Sequence, residues 1–400
     1  MKQILFGTTA LVAAGMLTGT AFAEDPIKLS LGGFYQAAMG HVFDDGEEND
    51  SERSANDHHD YAIKQNIEIY FLGSTTLDNG LTVGTRVELE GQNNGDQIDA
   101  AYAYFRGGFG EIRVGDFGSV GGLMCLEVPS AGLFGASGMN AAFIFTNVQG
   151  RVADGGGRFP AQEIDNNTMC DTVGSSDKAT KIAYFTPVLS GFRMGVSYAP
   201  NDAEDEPANQ NGTRSDKDEG QNSEQLSLGA EYSNKFGAVG VNMAAFWERA
   251  FKREKRGGGK DGQHMGDNET WGIGGTVGFA GFTLGANFNQ TSNIDNIVDD
   301  IDSTKWGLGA TYNWDEWTLG LGYAHGSYDA VSLDGLHKNG HDRDTLDTVS
   351  FSMQYALGPG ITLDAGLNYD VYDDARDEGQ NDLDGDYKGV SIATGFGITF

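Results

Sequence analysis

The chain closes on VSIATGFGITF, residues 390–400, in which Val390, Ile392, Thr394, Phe396 and Ile398 alternate with Ser391, Ala393, Gly395, Gly397 and Thr399. Successive side chains of a strand point to opposite faces, so this stretch reads as a strand with one greasy face and one small or polar face. The pattern recurs along the chain from Ile27 onward. So many one-sided strands, with so little helical periodicity, fit a closed barrel whose apolar side meets lipid. The final strand would then pair with the strand at Ile27 and close the seam.

Sixteen segments pass the alternation test: about 27–40, 61–75, 80–91, 98–108, 111–117, 179–187, 190–200, 224–235, 238–251, 268–279, 281–290, 303–314, 316–326, 345–357, 360–372 and 387–400. Tight turns rich in Gly, Asn and Asp join alternate pairs, as at 77–80, 108–110, 187–191, 236–237, 280–281, 315–316 and 358–360. Long polar stretches at 41–60, 118–178, 201–223, 252–267, 291–302, 327–344 and 373–386 join the others. Short turns at one rim and long loops at the other are the arrangement of a transmembrane barrel. The expected fold is therefore all-β, a 16-stranded antiparallel transmembrane β-barrel with short periplasmic turns and long external loops.

Residues 1–23 read as a secretory signal, with Lys2, an apolar run over 4–17 and an Ala21-Phe22-Ala23 cleavage site. The mature barrel is then 24–400. No other stretch approaches the roughly 20 apolar residues of a spanning helix. Gly numbers 60 of 400, about twice ordinary usage, and many glycines fall at inward positions, where small residues would keep a lumen open.

The net charge is −32, or −33 once Lys2 leaves, which speaks against nucleic acid as a partner. Acids concentrate between strands, at 44–50, 202–206, 295–302, 370–378 and 382–386. They read first as solvated loops. Calcium on these acidic loops is the sharper alternative, and Asn381 to Asp386 carries alternating oxygen ligands without the terminal Glu of a calcium loop. No other cofactor is expected. Cys125 and Cys170 share one long interstrand segment of an exported chain, which suggests an intraloop bridge, the alternative being two buried thiols.

The faces opposite the apolar ones carry Lys64, Asn66 and Glu68, Arg86, Glu88 and Glu90, Arg113, Lys181, Arg193, Asn287 and Asp364. A polar face enclosed by sixteen strands implies a water-filled channel, because smaller barrels fill with side chains. The basic segment at 249–256, with Lys260, falls on an expected external loop.

With these features on the page, the mature chain resembles the general diffusion porins of Gram-negative outer membranes, nearest the alphaproteobacterial type. The stretches that carry the likeness are 69–91 (IYFLGSTTLDNGLTVGTRVELEG), 101–118 (AYAYFRGGFGEIRVGDFG), 181–200 (KIAYFTPVLSGFRMGVSYAP) and the terminal Phe400. The resemblance implies a homotrimer in outer-membrane lipid and lipopolysaccharide, with Phe400 read by the barrel-insertion machinery. It implies a long third loop, here 117–178, folded into the lumen. It further implies that acids of that loop, Glu127, Asp154, Glu163, Asp165 and Asp171, face bases of the wall, for which Arg86, Arg113, Lys181 and Arg193 are the inward candidates. Such a pore would pass small hydrophilic solutes and ions passively, with a mild preference for cations given the acidic balance.

The alternative within the same fold is a substrate-specific channel for sugars or anions, which would want an inward aromatic run or a basic ladder. An outer-membrane enzyme would need a catalytic Ser or Asp with a His at an outward strand rim. His325 lies on the apolar face with no acid partner apparent in the sequence, so no enzymatic activity is expected.

Overall fold

The computed structural model describes residues 27–44, 59–91, 97–135, 170, 178–201, 222–253, 266–293, 300–331, 338–373 and 387–400. The expected signal segment at 1–23, most of the acidic loop stretches and the Asn381–Asp386 motif lie outside these residues.

The strands are β1 (Lys28–Asp44), β2 (Tyr61–Thr76), β3 (Thr82–Glu90), β4 (Ile98–Gly107), β5 (Gly110–Asp116), β6 (Thr180–Phe185), β7 (Phe192–Asn201) and β8 (Asn222–Phe236). The second half comprises β9 (Val239–Arg253), β10 (Asn268–Phe279), β11 (Phe282–Ser292), β12 (Ser303–Trp314), β13 (Trp317–Val331), β14 (Lys338–Gly358), β15 (Ile361–Asp373) and β16 (Tyr387–Thr399). A one-turn helix, α1 (Val120–Met124), follows β5. Every strand pairs antiparallel with its sequence neighbours, and β16 returns to β1 to close the barrel. The seam runs from Phe34↔Thr399 to Asp44↔Gly389. Closure leaves no unpaired edge, which a hydrocarbon environment requires.

Local chemistry explains the hairpins. Ala280 and Gly281 both take positive φ, 50° and 86°, as a two-residue turn between twisted strands demands. At the β2–β3 turn the Asn79 side chain accepts from the Leu81 amide at 3.0 Å. The apolar alternation lies outside: Ile63 is 77% exposed, and Leu284 and Leu321 are each 58% exposed. A band of this kind all round a molecule is untenable in water and at home in lipid. Trp314 and Trp317 stack at 6.2 Å at the turn end of β12–β13, where an interfacial girdle belongs.

Several expected loops are partly strand. The stretch 327–344 continues the β13–β14 hairpin, with Tyr328↔Asp344 and Asp329↔Arg343 paired and Val331↔Lys338 paired beyond a register shift. At 21 residues β14 is about 70 Å long, far more than a band of about 25 Å needs even at 45° of tilt. Beyond the bilayer a strand need not be one-sided, so alternation fails to mark it. For the same reason the basic segment begins inside β9, where Arg249 pairs with Glu269 of β10.

Candidate functional site

The site is assembled where the long connection after β5 turns into the barrel. Phe117 is buried at its root with Val120 and Met124 of α1, Ala183 and Phe185. Ser119 caps α1, its Oγ accepting from the Gly122 amide at 3.1 Å. The wall supplies the larger anchor. The Glu248 carboxylate of β9 accepts from the Ser119 hydroxyl, from the Gly121 amide at 3.1 Å and from Ser227 Oγ at 2.7 Å. Ser197 Oγ accepts from the Val120 amide at 3.2 Å.

From α1 the chain runs as a strap across the inner wall, strand by strand. A methyl group added at Gly195 of β7 would stand 2.9 Å from Val120 Cγ1, and one at Gly229 of β8 2.8 Å from Met124 Sδ. The same substitution at Gly274 of β10 meets Leu126 O at 2.7 Å. At Gly309 of β12 it meets Pro129 O at 2.6 Å, and at Gly320 of β13 the Ala131 amide at 2.8 Å. At Gly366 of β15 it meets Phe134 Cγ at 2.7 Å, and at Gly395 of β16 Leu133 Cδ1 at 3.0 Å. Non-bonded contacts ordinarily sit at about 3.5–4.0 Å, so a side chain at any of these positions would have to displace the strap atoms it meets. The inward glycines were expected to keep the lumen open. Under the strap they instead form the track in which residues 119–134 lie.

Polar ties fasten the strap along its length. The Ala131 amide donates to Ser352 Oγ at 3.1 Å. Asn287 Nδ2 of β11 donates to Leu126 O at 3.3 Å and to Glu127 Oε2 at 3.2 Å. Leu133 and Phe134 end the run, buried against Ala38 of β1 and Ala393 of β16. Among the described residues, the strap therefore lies along the wall from β7 round to β1, and its root packs on β6.

The rest of the wall, β2–β6, holds most of the expected bases, and each has local partners. Arg86 pairs with Glu88 and lies 4.1 Å over the Tyr70 ring. Arg113 pairs with Glu111 and lies 4.9 Å from the Phe185 ring and 5.2 Å from that of Tyr102. On neighbouring β7, Arg193 meets Glu231 at 3.3 Å and lies 4.6 Å over the Phe185 ring. Lys181 departs from expectation. It is only 3% exposed, and its ammonium donates to the main-chain carbonyls of Phe117 and Ala179. Strand alternation points it inward, but the loop root covers it, so it clamps the root rather than lining open water.

Of the expected loop acids, Glu127 is described, whereas Asp154, Glu163, Asp165 and Asp171 lie outside the described residues. Glu127 Oε1 accepts from the Cys170 amide at 2.8 Å, and Cys125 and Cys170 form a disulfide. Glu248 was not singled out in the sequence, and nothing there linked it to Ser119, 129 residues away. Lys178, also not anticipated, meets Asp99 at 2.6 Å. Asp99 groups with Glu68 and Glu88, the one described set of carboxylates close enough to share a cation, and Lys178 and Arg86 already supply positive charge there. On the outer face, His325 has an acid partner after all. Its Nδ1 lies 2.9 Å from Asp347 Oδ1, which also accepts from the Tyr323 hydroxyl.

The barrel has counterparts among solved structures. An anion-selective porin from Comamonas acidovorans matches with a TM-score of 0.58 at 17% identity, covering 94% of this chain and 100% of that one. The outer membrane channel DcaP of Acinetobacter baumannii matches with a TM-score of 0.58 at 14% identity, covering 95% and 99%. In-vitro folded OmpT, an outer membrane protein of Vibrio cholerae, gives 0.56 at 12% identity over 94% and 98%. No curated protein sequence matches the chain. At such identities the likeness carries the fold alone. Membership rests on the Gram-negative porin family, which matches residues 7–375. The chain belongs to the Gram-negative porin family and is an outer-membrane channel protein.

Proposed function

We propose that this channel is a passive, homotrimeric pore for small hydrophilic solutes and ions, mildly cation-preferring and without catalytic activity. The observation that carries this reading is the strap: residues 119–134 lie against one side of a closed barrel with a polar inner face. Nothing in that arrangement requires chemistry. The His325–Asp347 pair faces lipid, and among the described residues His325 is hydrogen-bonded to no hydroxyl nucleophile.

Two observations support the ionic preference. The chain carries −32 net, and Arg86, Arg113 and Arg193 each hold a carboxylate, so these three wall cations are compensated. The trimer form of Vibrio cholerae OmpT, matched with a TM-score of 0.53 at 13% identity, supports the homotrimer. Lipid and lipopolysaccharide around the barrel, and recognition of Phe400 by the insertion machinery, belong to the same reading.

A planar bilayer with a potassium chloride gradient tests it. A reversal potential displaced toward that of potassium is expected. Displacement toward chloride would favour the alternative, an anion-specific channel, and absence of conductance would defeat the pore itself. Native and cross-linked electrophoresis tests the trimer.

A further inference from the structure

We propose that the inner wall of β2–β5 carries a binding strip for planar aromatic carboxylates, built from tyrosines and arginines that alternate strand by strand. The inference rests on the channel reading above and adds to it a class of solute that the pore holds in transit.

A substrate-specific channel was expected to show an inward aromatic run or a basic ladder. This wall interleaves the two. Tyr70 stands on β2, Arg86 on β3, Tyr102 on β4, Arg113 on β5, Phe185 on β6 and Arg193 on β7. The Arg86 guanidinium lies 4.1 Å from the centre of the Tyr70 ring, and Arg86 and Tyr102 are opposed in the β3–β4 register. The Arg113 guanidinium lies 5.2 Å from the Tyr102 ring and 4.9 Å from that of Phe185, and the Arg193 guanidinium 4.6 Å from Phe185. With an aromatic ring or a guanidinium on each successive strand, the flat groups form one stripe. At its β6 end Phe185 is buried and serves only to stiffen it. Tyr70, Arg86, Tyr102 and Arg113 are half-buried, so each keeps some surface for a solute.

Two receptors stay open on the stripe. Glu88 meets Arg86 at Nε, and Glu111 accepts from Nε of Arg113. Among the described residues no hydrogen bond uses the Nη groups of either arginine, and the two side chains keep 24% and 17% of their surface exposed. An arginine with one face on a ring and its Nε beside a carboxylate still offers its other face and the fork of its Nη donors. The fork suits a second carboxylate, and the guanidinium face with the neighbouring tyrosine rings suits a second flat group. Stacking also fixes the guanidinium planes before the solute arrives, so less side-chain freedom is lost on binding.

Charge alone does not hold an anion here, because Glu88 and Glu111 already offset much of it. A carboxylate attached to a ring engages the fork and the stack together. It is therefore retained where chloride and acetate are not, in a channel whose net charge favours cations. A saturated carboxylate of the same bulk gains the fork without the stack.

The experiment is planar-bilayer recording in potassium chloride with potassium benzoate added to one side. Cyclohexanecarboxylate, acetate and benzamide are run in parallel at equal concentrations. Benzoate should block the current in a concentration-dependent way, at about fivefold lower concentration than cyclohexanecarboxylate, which has the charge and the bulk but no flat ring. Acetate, with charge and no ring, and benzamide, with a ring and no charge, should leave the current unchanged over that range. Tyr70→Leu should erase the fivefold margin, and Tyr70→Phe should keep it. Arg86→Lys keeps the charge but loses the planar fork, and should weaken the benzoate block about tenfold. Equal block by benzoate and cyclohexanecarboxylate in the parent protein overturns the proposal, as does a margin that survives both Tyr70→Leu and Arg86→Lys. If a variant fails to fold, the comparison of the four solutes on the parent protein decides. A parent protein that passes no current in potassium chloride alone would overturn the channel reading, and this inference with it.

Discussion

The main chain of Phe400 pairs with Gly33: the Gly33 amide donates to Phe400 O at 3.0 Å, and the Phe400 amide donates to Gly33 O at 3.1 Å. Beyond this point β1 continues beside β2 alone, so the pair is the last rung of the closing seam. Gly33 holds φ at +154°, and a Cβ there would collide with Glu68 O and stand 3.2 Å from the Phe400 ring. Gly33→Val should therefore loosen the seam at the terminal residue. Strain and overpacking of this kind cost about 1–3 kcal/mol. The temperature at which the folded band gives way to the unfolded one on a gel should fall, with conductance at low temperature unchanged. An unaltered transition would show that the last rung contributes nothing to closure.

The carboxylate of Glu248 gathers the start of the strap by accepting from Ser119, Gly121 and Ser227. Hydrogen bonds to a charged acceptor contribute about 1.5–3 kcal/mol each. Glu248→Ala removes all three while leaving the β9 ladder intact. The barrel should fold, and the open-channel current should become noisier as the start of the strap moves. Glu248→Gln should recover much of the quiet baseline. A quiet alanine variant would mean that packing of Val120 and Met124 suffices.

The glycine track can be tested from the wall side. At Gly309 an added methyl meets Pro129 O at 2.6 Å and Val128 Cβ at 3.0 Å. Gly309→Val should push the strap off β12 and alter conductance, at a cost of about 1–3 kcal/mol in stability. Valine itself suits a strand, so the barrel should still form. Gly358, at the β14–β15 turn with no atom within 4 Å, is the control. Equal conductance in the two variants would remove the track from the account.

Much of the barrel was legible because lipid enforces alternation on every residue it touches. The seam was legible too, since a strand like 390–400 needs a partner and only β1 remained. Above the bilayer that constraint ends, which is why 327–344 looked like loop although Tyr328 and Asp344 are paired. Alternation also gives direction without neighbours. It pointed Lys181 and the glycines inward but was silent on the loop root and strap that cover them. His325 and Asp347 stand opposite each other only through the β13–β14 register, 22 residues apart in sequence. The excess of glycine was visible, but not that some of these glycines meet a segment up to 262 residues away.

Selectivity offers the last test, because the wall charges are arranged in pairs. Arg86 is compensated by Glu88, with Tyr70 beneath its guanidinium at 4.1 Å. Glu88→Gln removes one negative charge and keeps the shape, leaving Arg86 stacked and positive on the wall. The lumen then gains one net positive charge, so the reversal potential in a potassium chloride gradient should move toward that of chloride. Screening sets where to look. The Debye length is about 30 Å at 0.01 M salt and about 3 Å at 1 M, so the shift should be large in dilute salt and nearly vanish in concentrated salt. Arg86→Gln should move the potential the opposite way under the same conditions. If both variants keep the parent potential in dilute salt, the pair lies outside the ion path, and the preference is set by the loops instead.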